Sequence, residues 1–89
     1  MVMLKNKKQQ ETLRRIFEKP TPNNILWRDI ESLLRHLGFA IRYQGGSVFH
    51  VSGTGCKPIN VHRPHPGNQT YPVVVKTIRR YLEEMGIRP

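Results

Sequence analysis

The chain has 89 residues and a formal net charge of +9, with a pI of about 10.5. Its length fits one domain over residues 1–89. Its single cysteine, Cys56, excludes an internal disulfide and favours a reducing cytoplasm, and no apolar run approaches the roughly 20 residues of a membrane span. The excess of cations favours a nucleic-acid partner over an anionic membrane surface.

Two helices are predicted in the first forty residues. The first covers Asn6–Glu18, with apolar side chains on one face and lysines and arginines around the rest. Pro20 and Pro22 end it, because the residue before a proline disfavours helical backbone. The second covers about Trp27–Leu37, followed by Gly38 as its stop, and its tryptophan is expected to anchor it to the core.

Three short segments then alternate apolar and polar residues, which predicts strands at Phe39–Gln44, Val48–Ser52 and Pro58–His62. A three-residue loop between the first two would pair Tyr43 with Phe49, and a five-residue loop would pair Val51 with Ile59. These registers put the alternating apolar side chains of the three strands on one buried face, with Val48 on the other. The predicted inward set is Phe39, Ile41, Tyr43, Phe49, Val51, Ile59 and Val61.

A last helix is predicted from about Tyr71 or Val73 to Met85, with Thr70 as a candidate cap at its start and Gly86 at its end. The element order is α, α, β, β, β, α. Three antiparallel strands need helices over one face, so the predicted class is α+β with the other sheet face open.

The open face would carry the candidate chemistry. The register places Arg42 opposite His50, His50 opposite Asn60, and Val48 opposite His62, so the two histidines become diagonal neighbours. A neutral imidazole can accept the proton of a ribose 2′-hydroxyl, and a second imidazole or a guanidinium can assist at the phosphate without a metal. The alternative is that these are ordinary polar surface residues.

Residues 32–82, 51 positions, contain no carboxylate side chain, but seven Lys or Arg and all four histidines. This tract argues against hydrolysis by a pair of carboxylates and against a carboxylate-bound magnesium ion. It favours binding of, or chemistry on, a polyanion. Lys76, Arg79 and Arg80 are candidate phosphate contacts near the open end of the sheet, or else a solvated helix face. A zinc site is disfavoured, because the candidate ligands Cys56, His50, His62 and His65 lack suitable spacing.

Several segments resemble the HicA toxin family in order and spacing over about Ile25 to Ile87. They are Trp27–Leu34, Leu37–Gly38, Gly46–Ser47, the run His62-Arg63-Pro64-His65-Pro66, and Val75–Glu83. The resemblance implies a fold similar to a double-stranded-RNA-binding domain, α-β-β-β-α over residues 24–87. Residues 1–23 would then be a basic helical extension and linker.

The resemblance also implies a toxin of a type II toxin–antitoxin system, an mRNA interferase of the bacterial cytoplasm that is masked by a HicB antitoxin. Many members carry a histidine directly after the Gly-Ser pair, taken as catalytic, where this chain has Val48. A second departure is Tyr71-Pro72-Val73, which stands where an acidic-basic-glycine turn is usual.

We therefore predict a metal-independent endoribonuclease without a cofactor. His62 is the first choice for general base and His50 the second, while His65 and Arg63 would position or stabilise phosphate, and Arg42 would contact RNA. The alternative is a non-catalytic RNA-binding module. The antitoxin is expected to be acidic where it covers the sheet and the exit of the third strand, because unpaired buried cations are costly.

Overall fold

The computed structural model describes residues 6–53, 55–64 and 67–89. Their elements follow the predicted order, which confirms the α+β class and the extra helix at the N-terminal side. The helices are α1 (Lys7–Ile16), α2 (Trp27–His36) and α3 (Pro72–Glu84), and the strands are β1 (Ala40–Tyr43), β2 (Val48–Ser52) and β3 (Ile59–His62). No helix in these ranges combines the length and apolarity needed to cross a bilayer.

Helix α1 is capped by the residue that precedes it, and its apolar stripe packs into the core. The Asn6 side-chain oxygen accepts hydrogen bonds from the backbone N–H groups of Lys8 at 2.8 Å and Gln9 at 3.4 Å, which caps the first turn. Leu13 and Ile16 are buried in the core cluster. The helix packs on both α2 and α3, so the extension is part of the folded domain.

The sheet has the strand order β1-β2-β3, with both pairs antiparallel. Tyr43 pairs with Phe49 and Val51 pairs with Ile59, so both predicted registers are confirmed. Gly45 and Gly46 have positive φ angles of 94° and 56°. Glycine adopts such angles without strain, which is why the three-residue hairpin loop forms there.

Helices α2 and α3 cover one face of the sheet, and α1 packs against these two helices. Ile41, Val51 and Val61 point into the core from the three strands, and Trp27 meets Phe49 with a ring-centroid separation of 5.4 Å. The expected anchoring by the tryptophan is therefore confirmed. Because side chains alternate along a strand, the even-numbered residues of the sheet are left on the uncovered face.

Two local predictions at the ends of elements are wrong. Tyr43 lies at the end of the edge strand and is 57% exposed, although its parity matches that of the buried residues. Thr70 is fully buried and does not cap α3, whose N-cap is Tyr71 without a side-chain cap bond. The Thr70 backbone N–H instead donates to the Ile25 carbonyl at 2.7 Å. This bond lies next to an isolated antiparallel bridge between Leu26 and Gln69. Gly86, with φ +74°, does follow the end of α3 as predicted.

Candidate active site

The uncovered sheet face brings four of the expected polar residues into two neighbouring rows. Arg42, His50 and Asn60 lie side by side across the three strands, and Val48 pairs with His62 in the next row. His50 is half-buried, whereas the side chains of Arg42, Asn60 and His62 are exposed. The predicted cross-strand neighbours are thus confirmed, while their chemical roles remain predictions.

His50 is held by a side-chain partner that the sequence analysis did not identify. Its Nδ1 lies 3.1 Å from Asn60 Oδ1. Because an amide oxygen only accepts, Nδ1–H is the donor, and in a neutral ring the lone pair then resides on Nε2. This arrangement orients one imidazole with its basic nitrogen turned away from its partner.

His62 stands diagonally from His50 across β2 and β3. Diagonal neighbours of an antiparallel pair are separated by about 7–8 Å between Cα atoms, which allows two imidazoles to flank one phosphodiester. The face carries no carboxylate, because every acidic residue lies on a helix or directly beside one: Glu11, Glu18, Asp29, Glu31, Glu83 and Glu84. Negative charge close to this face must therefore come from a ligand.

Arg63 follows β3 and lies over aromatic rings at the end of the sheet. Its guanidinium carbon is 5.6 Å from the Tyr43 ring centroid and 5.7 Å from that of Phe49, and its backbone N–H donates to the Ser47 carbonyl at 2.9 Å. The Tyr43 hydroxyl donates to the Gly46 carbonyl at 2.7 Å. These contacts hold an exposed aromatic ring and a guanidinium in one place.

The predicted phosphate contacts of α3 do not join the histidine face. Lys76, Arg79 and Arg80 lie in the helical layer, on the other side of the sheet. The Arg79 side chain is engaged within the molecule, donating to the Ile16 carbonyl at 2.7 Å and to the Glu18 carbonyl at 3.1 Å. His65, predicted to position or stabilise phosphate, lies outside the described residues.

Cys56 also has an intramolecular partner. Its half-buried sulfur lies 3.3 Å from the Tyr81 hydroxyl in a hydrogen bond. Burial, assisted by this bond, raises the pKa of Tyr81 above its ordinary value. Within the part of the chain that the structure describes, no group of three or more His, Cys, Asp or Glu residues is arranged to hold a metal ion.

Sequence reasoning missed the roles of Tyr43, Asn60 and Arg79. Parity and spacing show which residues are neighbours across strands, so the proximity of Asn60 to His50 was available from the register. The hydrogen bond needed side-chain rotamers. Arg79 contacts residues about 60 positions away in the sequence, and no local pattern reveals such a contact.

Fold and site define a small basic α+β domain with an open sheet face that carries two histidines and no carboxylate. Residues 27–87, 61 of the 89, match the model of the HicA toxin of bacterial toxin–antitoxin systems. The chain belongs to the HicA toxin family, which makes it a toxin of such a system and implies a HicB-like antitoxin partner. Helix α1 and the following linker precede the matched segment. Neither a curated protein nor a solved structure matches the chain.

Proposed function

We propose that this toxin is a metal-independent endoribonuclease that cleaves mRNA on the uncovered sheet face. The observation that supports this most is the His50–Asn60 hydrogen bond beside Arg42, with a second imidazole, His62, one row away. A base that is oriented by a third group is the usual arrangement for proton abstraction. This bond favours His50 over His62 as general base, the reverse of the order inferred from the sequence.

In the proposed reaction, His50 Nε2 takes the proton from a ribose 2′-hydroxyl. The 2′-oxygen then forms a bond to the adjacent phosphorus, and the bond from phosphorus to the 5′-oxygen breaks. Protonated His62 gives its proton to that leaving oxygen, so the products are a 2′,3′-cyclic phosphate and a 5′-hydroxyl. Arg42 stabilises the extra negative charge on the phosphorane.

The aromatic end of the sheet suits an unpaired base. The exposed Tyr43 ring and the Arg63 guanidinium are both planar, and they are fixed by contacts with Phe49 and with the hairpin backbone. Single-stranded nucleic acids bind to such surfaces, because their unpaired bases can stack on planar side chains. We therefore propose single-stranded regions of mRNA as the substrate.

Neutralisation by the HicB-like antitoxin follows from the same charge pattern. A protein that covers Arg42 on the uncovered face and Arg63 at the exit of β3 has to supply carboxylates, because leaving those cations desolvated and unpaired is costly. We propose that the antitoxin inhibits by covering this face with an acidic surface. Charge reversal at Arg42 and Arg63 together should then weaken the complex more than either change alone.

Cleavage of a defined RNA by the purified toxin in EDTA tests the proposal. We expect products with a 2′,3′-cyclic phosphate and a 5′-hydroxyl, and no cleavage where the attacking nucleotide carries a 2′-deoxyribose. An oligonucleotide with one ribose among deoxyriboses is the matched substrate. Cleavage of an all-deoxy strand would contradict the 2′-hydroxyl mechanism. Binding of RNA without any cleavage would show a non-catalytic RNA-binding module instead.

A further inference from the structure

A strongly cationic groove lies in the helical layer, between the end of α1 and α3. Its volume is about 390 Å³. Five of its lining residues are cations and one is a carboxylate: Phe17, Lys19, Lys76, Arg79, Arg80, Glu83 and Arg88. Such a concentration of one charge attracts polyanions, especially where groove walls exclude part of the solvent.

Three exposed cations of this groove have no carboxylate partner among the residues that the structure describes. Glu83, the single carboxylate of the lining, is 3.5 Å from Arg88, so its charge is already matched. Lys19, Lys76 and Arg80 are exposed, and none of them forms a salt bridge within the described ranges. Five cations against one carboxylate leave four unmatched positive charges in one groove, one of them on Arg79, whose printed partners are neutral.

The N-terminal extension builds one wall of this groove. Arg79 donates to the carbonyls of Ile16 and Glu18, and its Nη2 lies 3.0 Å from the Thr21 hydroxyl oxygen. These bonds tie the end of α1 and the start of the linker to α3, which brings Lys19 opposite α3. The matched family segment begins only at residue 27, so the groove depends on residues in front of it.

We propose that this groove is a second RNA-binding site, which holds the phosphate backbone on the side of the sheet away from His50 and His62. The proposal rests on RNA being the substrate. A phosphate backbone fits better than a protein segment, because the cores of protein interfaces are depleted of charged residues, lysine in particular. The one apolar lining residue here is the half-buried Phe17. RNA that reaches both sites would wrap around the domain.

Binding of a single-stranded RNA to a cleavage-silenced double variant, His50→Ala with His62→Ala, tests the groove separately from catalysis. We compare Lys19→Glu and Lys76→Glu in that background by fluorescence anisotropy from 0.05 to 0.3 M salt. The control is Lys7→Glu, which makes the same charge change at the exposed start of α1, far from the groove. Circular dichroism melting verifies that all variants fold.

Each groove substitution should weaken RNA binding at least fivefold at 0.1 M salt and lower the slope of log affinity against log salt by about 0.7, the value for one phosphate contact on single strands. Lys7→Glu should change affinity less than twofold. Equal effects at Lys19 and Lys7 would overturn the proposal, because they would reflect net charge alone. Weaker antitoxin binding with unchanged RNA binding would overturn it in favour of an acidic protein as the occupant. If the unsilenced toxin does not cleave RNA, the proposed catalytic function is wrong, but these binding measurements still decide whether the groove binds RNA.

Discussion

Replacing Arg79 should detach the N-terminal extension from the core. The guanidinium makes three hydrogen bonds, at 2.7, 3.1 and 3.0 Å, to the Ile16 carbonyl, the Glu18 carbonyl and the Thr21 hydroxyl. Arg79→Met keeps most of the aliphatic stem and removes all three donors. A hydrogen bond to a charged group contributes about 1.5–3 kcal/mol, and neighbouring bonds are not additive. We therefore expect the free energy of unfolding to fall by about 2–3 kcal/mol.

Urea unfolding followed by the fluorescence of the buried Trp27 measures this loss. For a domain of this size, the same change lowers Tm by roughly 10–20 °C. Hydrogen exchange locates the effect, since the α1 amides should exchange faster while those of β2 keep their protection relative to global unfolding. Arg80→Met, at an exposed neighbouring position, is the control and should stay within about 0.5 kcal/mol of the wild type. A loss below that value for Arg79→Met, with unchanged α1 exchange, would refute the reasoning.

Three further predictions concern single residues. The raised pKa of Tyr81 means that its proton is held more tightly in the folded state, so wild-type stability should decline above pH 10, and Tyr81→Phe should decline less in urea titrations at pH 10–12. Gly53→Ala should cost about 1–3 kcal/mol in urea unfolding, because its Cβ would lie 2.7 Å from Cδ1 of Phe39. Asn60→Ala should release the Nδ1 proton preference of His50, which ¹⁵N–¹H correlation spectra of the imidazole show directly.

Each of these three predictions would be contradicted by one specific outcome. Parallel pH curves for wild type and Tyr81→Phe would mean that this hydroxyl ionises as easily in the folded chain as in the unfolded one. Undiminished stability of Gly53→Ala would show that the Phe39 ring moves aside without cost. An unchanged His50 tautomer in Asn60→Ala would remove the orienting role of the amide, even if the variant folded normally.

The sheet register was predictable because two independent constraints agree. Side-chain parity requires one apolar face, and the two loop lengths must satisfy that parity, which leaves Tyr43 opposite Phe49 and Val51 opposite Ile59. The helices were predictable from their stripes and their stops at Pro20 and Gly38. The positions of the two histidines on the open face followed from the same register.

The alternation of side chains along a strand does not predict burial where the helical layer ends. It assigns Tyr43 to the helical side of the sheet, but this residue lies at the end of an edge strand, and the structure leaves it exposed with Arg63 over its ring. Thr70 had the chemistry of a helix cap, yet its backbone N–H donates to the Ile25 carbonyl and its side chain is buried. Both outcomes depend on tertiary contacts that sequence periodicity does not contain.

The dependence of single-turnover RNA cleavage on pH, measured in EDTA for the wild type, His50→Ala and His62→Ala, tests the central claim most directly. We predict a bell-shaped profile for the wild type, because one imidazole must be neutral and the other protonated. Each variant should lose one limb of that profile and at least about a hundredfold in rate, the usual contribution of a positioned acid or base. Variants that retain the wild-type rate and both limbs, or a wild type that binds RNA without cutting it, would contradict the account.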